Sequence, residues 1–191
     1  MKTGKTVKVL LTAATAAGML AGCGSKTDTD TFRFASELDI QGMDSTVVDD
    51  GMSFNAIHAI TDGLTAVNEK GKTAPAIAKS WDVSDDGKTY TFHLRDAKWT
   101  NGDKVTANDF VYSWRKIIKD AGNYAYMLGS GGASVKNADA LMELGANATD
   151  EQMATLGVTA KDDKTLVVEL ENKVPYFTDL MAFPCYFPQN E

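Results

Sequence analysis

The chain has 191 residues, 43% of them hydrophobic and 24% charged, with a formal charge of −7. That is enough apolar chain for a buried core, and an acidic balance without a basic stripe gives nothing to neutralise phosphates, so nucleic acid is not an expected partner. Cys23 and Cys185 are the two cysteines, too few for a disulfide framework.

Met1 to Lys8 carries Lys2, Lys5 and Lys8, and an apolar run from Val9 to Leu20 follows. The run is too short to cross a bilayer comfortably and reads as the core of a secretory signal over residues 1–22. It ends in Leu20-Ala21-Gly22-Cys23, which looks like a bacterial lipobox. Cleavage there would leave Cys23 as the lipidation site, its thiol carrying a diacylglyceryl group, and two or more acyl chains anchor a soluble domain to a membrane stably. An ordinary signal peptide with an incidental cysteine is the alternative. Losing the three lysines would take the formal charge from −7 to −10. Residues 23–30 are small and polar and read as a tether. With Cys23 lipidated no internal disulfide is expected, and Cys185 reads as a small buried apolar residue.

Thr31 to Ala35 alternates Phe32 and Phe34 with polar neighbours and predicts a first strand. Asp44 to Asp50 is turn-like. Gly51 to Gly63 predicts a short helix with Phe54, Ile57, His58 and Thr61 roughly on one side. Leu64 to Val67 then leads into a hairpin turn at Asn68-Glu69-Lys70-Gly71. Pro75 suggests a short helical turn over Ala74 to Lys79.

Trp81 to Trp114 is the most strongly patterned stretch. Trp81 and Val83 enter the turn Asp85-Asp86-Gly87-Lys88, after which Tyr90, Phe92 and Leu94 alternate with Thr91, His93 and Arg95. Period-two alternation around a glycine turn predicts a hairpin with one buried face. Asn101-Gly102 marks a second turn. Thr106 then reads as an N-cap with Asp109 reaching back to it, opening a helix whose Phe110, Val111, Trp114, Ile117 and Ile118 share a face. Lys116 and Lys119 near its C-terminus suit the helix dipole.

Beyond it, Asp120 to Ala133 embeds Tyr124, Tyr126 and Met127 among glycines. Such a loop can offer backbone and rings to a ligand, and packing beneath the loop accounts for it equally well. Helices are predicted over Asn137 to Leu144 and from Thr149. A second hairpin turns at Asp162-Asp163-Lys164, with Leu166, Val168 and Leu170 alternating inward; its likeness to the first suggests two hairpins of one sheet. A last helix should run from Val174 to Met181 and end at Phe183-Pro184.

Catalytic and phosphate-binding patterns fail on inspection. Gly71-Lys72-Thr73 and Gly87-Lys88-Thr89 have Ala66 and Asp82 where a phosphate loop needs its first glycine, and Gly4-Lys5-Thr6 lies in the signal. His58 and His93 have no partner at metal-ligand spacing, so no metal or cofactor is expected. The pairs Asp85-Asp86 and Asp162-Asp163 sit in turns, which argues against acid-base work, and an enzyme is the least favoured class.

The stretch SWDVSDDGKTYTFHLRDAKWTNGDKVTANDFVYSW closely resembles the signature region of the extracellular solute-binding proteins of family 5, the receptors of ABC importers. The oligopeptide-binding branch is nearest, through Asp96-Ala97-Lys98-Trp99 and Asp109-Phe110-Val111-Tyr112-Ser113-Trp114. The resemblance implies an α/β (α+β) fold of the periplasmic-binding-protein-like type II class (cluster C). It further implies the start of lobe I over 31–62, an inserted smaller domain over 63–182, and a return towards lobe I over 183–191. Members are much longer and two-lobed, so this chain is expected to be an N-terminal portion of one. Their function, import of oligopeptides, implies an oligopeptide ligand, ABC permease subunits as partners, a monomeric receptor, and a place on the extracytoplasmic face of the cell membrane. By the same resemblance Asp49 stands where the branch has a cleft glutamate, Asp50 and Gly51 align with positions whose backbone pairs with the peptide, and Tyr124 matches a cleft tyrosine. Asn123 stands where that branch has proline, and Phe183 where it has a pocket histidine. Asp49 and Phe183 leave the pocket preference open. Another solute, such as nickel or a modified peptide, and a non-transporting adhesin or signalling receptor are the alternatives.

Overall fold

The computed structural model describes residues 35, 36 and 38–191. The expected signal, the expected tether with Cys23, and all but the last residue of the expected Thr31–Ala35 strand lie outside the described residues.

A four-stranded antiparallel sheet organises the described part. Its strands are β3 (Ala78–Val83), β4 (Thr89–Leu94), β5 (Val158–Asp162) and β6 (Thr165–Glu169), in the order β3-β4-β6-β5. The two expected hairpins therefore do share a sheet, joined through β4 and β6 with Phe92 opposite Leu166 and Tyr90 opposite Val168. These four side chains are buried while Thr91 and His93 are half-exposed, as alternation demands. Gly87, at φ +69°, closes the first turn. Asp86 accepts from the Lys88 N–H at 3.0 Å, and Asp162 accepts from Lys164 N–H at 2.8 Å in the second. The same aspartate-to-backbone device thus serves both turns.

Helix α2 (Ala107–Lys119) covers the buried face, with α1 (Gly51–Ile60) preceding it in the chain. Phe110, Trp114, Ile117 and Ile118 are essentially inaccessible to solvent, and burying each phenylalanine or isoleucine is worth about 1.5–3 kcal/mol. Asp109 accepts from the Thr106 N–H at 2.8 Å and from the Trp99 indole at 3.1 Å, fastening the N-terminus of α2 to the Asn101-Gly102 turn. The second hairpin also holds this end, since the Asp163 carbonyl accepts from the Ala107 N–H at 2.9 Å. An otherwise unpaired helix donor is thereby satisfied by tertiary structure.

The helical turn expected over Ala74 to Lys79 does not form. Thr73–Pro75 is strand β2, paired antiparallel with β1 (Thr65–Val67), and Ala78 already belongs to β3. The N–H groups of Ile77 and Ala78 donate to the carbonyls of Gly63 and Leu64 at 3.0 Å each. So short a helix is marginal, and these cross-chain bonds outweigh Pro75's preference for a first helical turn. The remaining α-helices among the described residues are α3 (Ala138–Leu144), α4 (Asp150–Met153) and α5 (Phe177–Leu180), each within its expected stretch. Cys185 is a free, buried thiol whose surroundings push its pKa up, in keeping with the apolar role expected of it.

Candidate functional site

Three segments far apart in the chain meet at the expected cleft residues. The first is the turn that enters α1. Asp50 is its N-cap, accepting from the Ser53 N–H at 2.8 Å, and hydrogen bonding from Ser53 holds its carboxyl below the ordinary value. Its other oxygen is buried and finds no hydrogen-bond partner among the described residues. Asp50 thus shapes the turn with one carboxylate oxygen and with its carbonyl, which accepts from the Phe54 N–H at 3.1 Å, and Gly51 beside it is exposed. Ser53, fully buried, accepts in turn from the N–H groups of Gln41 at 3.0 Å and Gly42 at 3.2 Å, which ties the helix to the chain before it.

The second segment is the glycine-rich loop after α2. Asn123 donates from Nδ2 to the Asp49 carboxylate at 2.9 Å and to the Val47 carbonyl at 3.3 Å, joining the loop to the first segment. This approach needs Gly122: a Cβ there would lie 2.0 Å from the Thr46 carbonyl oxygen. Nearby, Lys116 on α2 holds Asp44 at 2.8 Å and donates to the Thr46 hydroxyl at 2.8 Å.

The third segment is the stretch after α5. Ser113 donates to the Phe187 carbonyl at 2.6 Å and the Trp114 indole to the Tyr186 carbonyl at 3.0 Å, both buried. The patterned helix therefore serves as core on one side and on the other fixes the backbone that carries Phe183. Tyr186, buried against Trp114, donates its hydroxyl to the Met127 carbonyl and so locks this stretch to the glycine-rich loop.

At the junction, Phe183 and Tyr124 lie 5.2 Å apart between ring centroids. Phe54 of α1 touches both, at 5.4 Å from Tyr124 and 5.2 Å from Phe183. Asp49, Asp50, Gly51, Tyr124 and Phe183 thus adjoin, although 134 positions separate the first from the last. Phe54 and Asn123 complete the group and were not singled out as site residues from sequence. Phe54 appeared there as one apolar position of a helix, and Asn123 as a departure from proline. A recess of about 760 Å³ lies elsewhere, along α2 beside Tyr112, Arg115 and Lys119, and none of the candidate residues lines it. Among its charges Lys119 pairs with Asp150 and Lys116 with Asp120, each at 3.0 Å, while the buried Arg115 Nε has no hydrogen-bond partner among the described residues. Among the described residues no group of three or more His, Cys, Asp or Glu side chains gathers as a metal site.

The described part is thus an antiparallel sheet backed by an amphipathic helix, with a surface patch of half-exposed rings and a carboxylate. Comparison gives the class. The profile of the bacterial extracellular solute-binding proteins, family 5 Middle, matches residues 72–191. The chain belongs to this family. It is 38% identical over 195 aligned positions to the dipeptide-binding protein of Lactococcus lactis subsp. cremoris (strain MG1363), covering all of this chain and 34% of that protein. Among solved structures, the substrate-binding domain of an oligopeptide ABC transporter from Bacillus anthracis str. Ames is 40% identical, with a TM-score of 0.75 over 82% of this chain and 29% of that one. Listeria monocytogenes OppA bound to peptide is 39% identical, with a TM-score of 0.69 over 78% of this chain and 28% of that one. The chain therefore spans about a third or less of the length of these relatives. Their mixed α+β periplasmic-binding fold is the one expected from sequence.

Proposed function

We propose that this chain supplies one wall of the peptide cleft in the substrate-binding component of an ABC importer of oligopeptides. The observation that carries the reading is the convergence of Asp49, Tyr124 and Phe183 on one patch. The Asp50–Gly51 backbone offers hydrogen-bonding groups to an extended peptide, which gains main-chain bonds whatever its side chains. Water in roomy pockets beside the rings then tolerates side-chain variety. The mechanism is binding without chemistry: a second lobe closes over the peptide and the closed form is presented to the permease. The receptor acts as a monomer.

The division at residues 62/63 and 182/183 belongs to this proposal. A Cβ on Gly63 would stand 2.3 Å from the Met181 carbonyl, and Thr65 donates to the Thr178 carbonyl at 2.7 Å. Entry to and exit from the smaller domain thus lie side by side, as an insertion requires. We further propose that Cys23 carries the lipid that holds the receptor on the extracytoplasmic face of the membrane. Mass spectrometry of the mature N-terminus tests that point, and an unmodified Cys23 would end it.

Calorimetric titration of the full-length protein with short peptides tests the function. Micromolar or tighter binding, weakened about tenfold or more by Tyr124→Ala, is the expected result; a tenfold loss corresponds to about 1.4 kcal/mol, within the range for an aromatic anchor. Absence of binding across a peptide library would refute it.

A further inference from the structure

We propose that Phe54, with Tyr124 and Phe183, forms a selective wall that favours an apolar, above all aromatic, side chain of the bound peptide; this rests on the peptide-cleft reading above. The three rings come from α1, the glycine-rich loop and the stretch after α5, and every pair is in contact. Phe54 meets Tyr124 edge-on at 67°, and the tilted pairs Phe54–Phe183 and Tyr124–Phe183 each stand at 59°. None of the three is fully buried, so each keeps surface for a fourth ring. Tyr126 extends the wall outwards, stacked on Tyr124 at 6.0 Å and 52% exposed.

Part of the polar surface beside this wall is already engaged. Asn123 donates to Asp49 at 2.9 Å and one Asp50 oxygen serves the N-cap at 2.8 Å, while the other Asp50 oxygen is buried without a partner among the described residues. The three rings themselves offer no hydrogen-bonding face, so a charged or amide side chain laid on them would lose water for little return, whereas an aromatic one would gain both burial and edge-to-face contact. Phe54 is the ring that decides the shape of this surface. It bridges the other two, and on its other side it packs on the small cluster of Val48, Ile57 and Phe187 that seats α1. Tyr124 and Phe183 still touch each other without it, so its removal opens the wall but does not dismantle it.

The test uses the full-length protein as wild type, Phe54→Ala and Phe54→Leu, titrated calorimetrically with peptides in which each position in turn is Phe, Leu, Gly, Asp or Lys. Wild type should prefer Phe over Asp and Lys at one position by about tenfold or more, a gap typical of one aromatic contact. F54A should reduce that ratio to roughly threefold or less, the affinity for the Phe peptide falling more than that for the Gly peptide. F54L, which keeps apolar bulk, should retain preference for Leu and lose it for Phe, and it carries the test if F54A melts early. An equal loss for every peptide would make Phe54 a mere structural support and overturn the inference while leaving the cleft standing. A wild type without preference at any position would do the same. Failure of wild type to bind any peptide would remove the cleft reading and this inference together.

Discussion

Gly122→Ala offers the sharpest trial of how the site is held. Gly122 is not in the left-handed region, so alanine suits its backbone and sterics alone decide the outcome. The new Cβ would fall 2.0 Å from the Thr46 carbonyl oxygen and 2.8 Å from Ile117 Cγ1, where ordinary contact begins near 3.4 Å. The loop and the turn at residues 44–47 must therefore part by about 1.4 Å, because a carbonyl fixed in a turn cannot swing aside as a flexible side chain would. The Asn123–Asp49 bond, 2.9 Å long, does not survive such a shift. Overpacking of this kind costs about 1–3 kcal/mol. At about 2–4 °C per kcal/mol for a domain of this size, melting should fall by roughly 2–12 °C. Calorimetric unfolding measures this, and titration with a binding peptide should show weakened affinity as Tyr124 moves with the loop. Gly51→Ala is the internal contrast: its Cβ meets nothing within 4 Å, and stability should rise by about 0.4–1 kcal/mol. If G122A melts within about a degree of wild type, the close approach does not hold the site as argued.

Trp114→Phe keeps an aromatic ring but leaves the buried Tyr186 carbonyl without its donor, so urea midpoints should drop by the equivalent of about 1–3 kcal/mol. Asn123→Ala removes an exposed link, so stability should change by less than about 1 kcal/mol. Its effect should appear instead in peptide affinity, read by titration. Burial alone would raise the pKa of Asp44, but hydrogen bonds from Lys116, Thr46 and Gln189 outweigh it and hold the carboxyl well below the usual range. A depressed folded pKa contributes stability above the unfolded value of about 4 that is lost as pH falls through the folded one. Wild type should therefore lose stability progressively below about pH 4, while Asp44→Asn, weaker at neutral pH, shows a shallower fall. Identical slopes in acid melts of the two would contradict this.

The fold was legible where one local rule dominated. Tyr90, Phe92 and Leu94 could alternate inward only as a strand, and Phe110, Trp114 and Ile117 could share a face only on a helix. It was illegible where distant backbone decided the matter: nothing in Ala74 to Lys79 announces that the carbonyls of Gly63 and Leu64 will take its donors. The site divides in the same way. Asp49, Tyr124 and Phe183 were reached through resemblance, and their adjacency depends on Gly122, Asn123, Ser113 and Trp114, whose partners lie more than 70 positions away. Phe54 carried no mark beyond an apolar position on a short helix, because a ring that contacts two other segments looks in sequence like any core residue.

Two departures from the oligopeptide-binding pattern make physical sense as a pair. Where that branch has a glutamate, Asp49 is one methylene shorter, and where it has proline, Asn123 supplies an amide that the proline could not. The geometry joins them, with Asn123 Nδ2 on the Asp49 carboxylate at 2.9 Å. On the cleft reading proposed above, a carboxylate drawn back to hold a loop is less able to reach a peptide, and the polar share of recognition would fall to the Asp50–Gly51 backbone. The side-chain share would fall to the rings of Phe54, Tyr124 and Phe183, which touch one another. Phe183, where the resemblance puts a histidine of that branch, would act in the same direction, since phenylalanine has no hydrogen-bonding group. Each of these differences favours backbone bonds plus apolar contact over charge, and that common direction links the local chemistry of α1 to the selectivity proposed for the cleft.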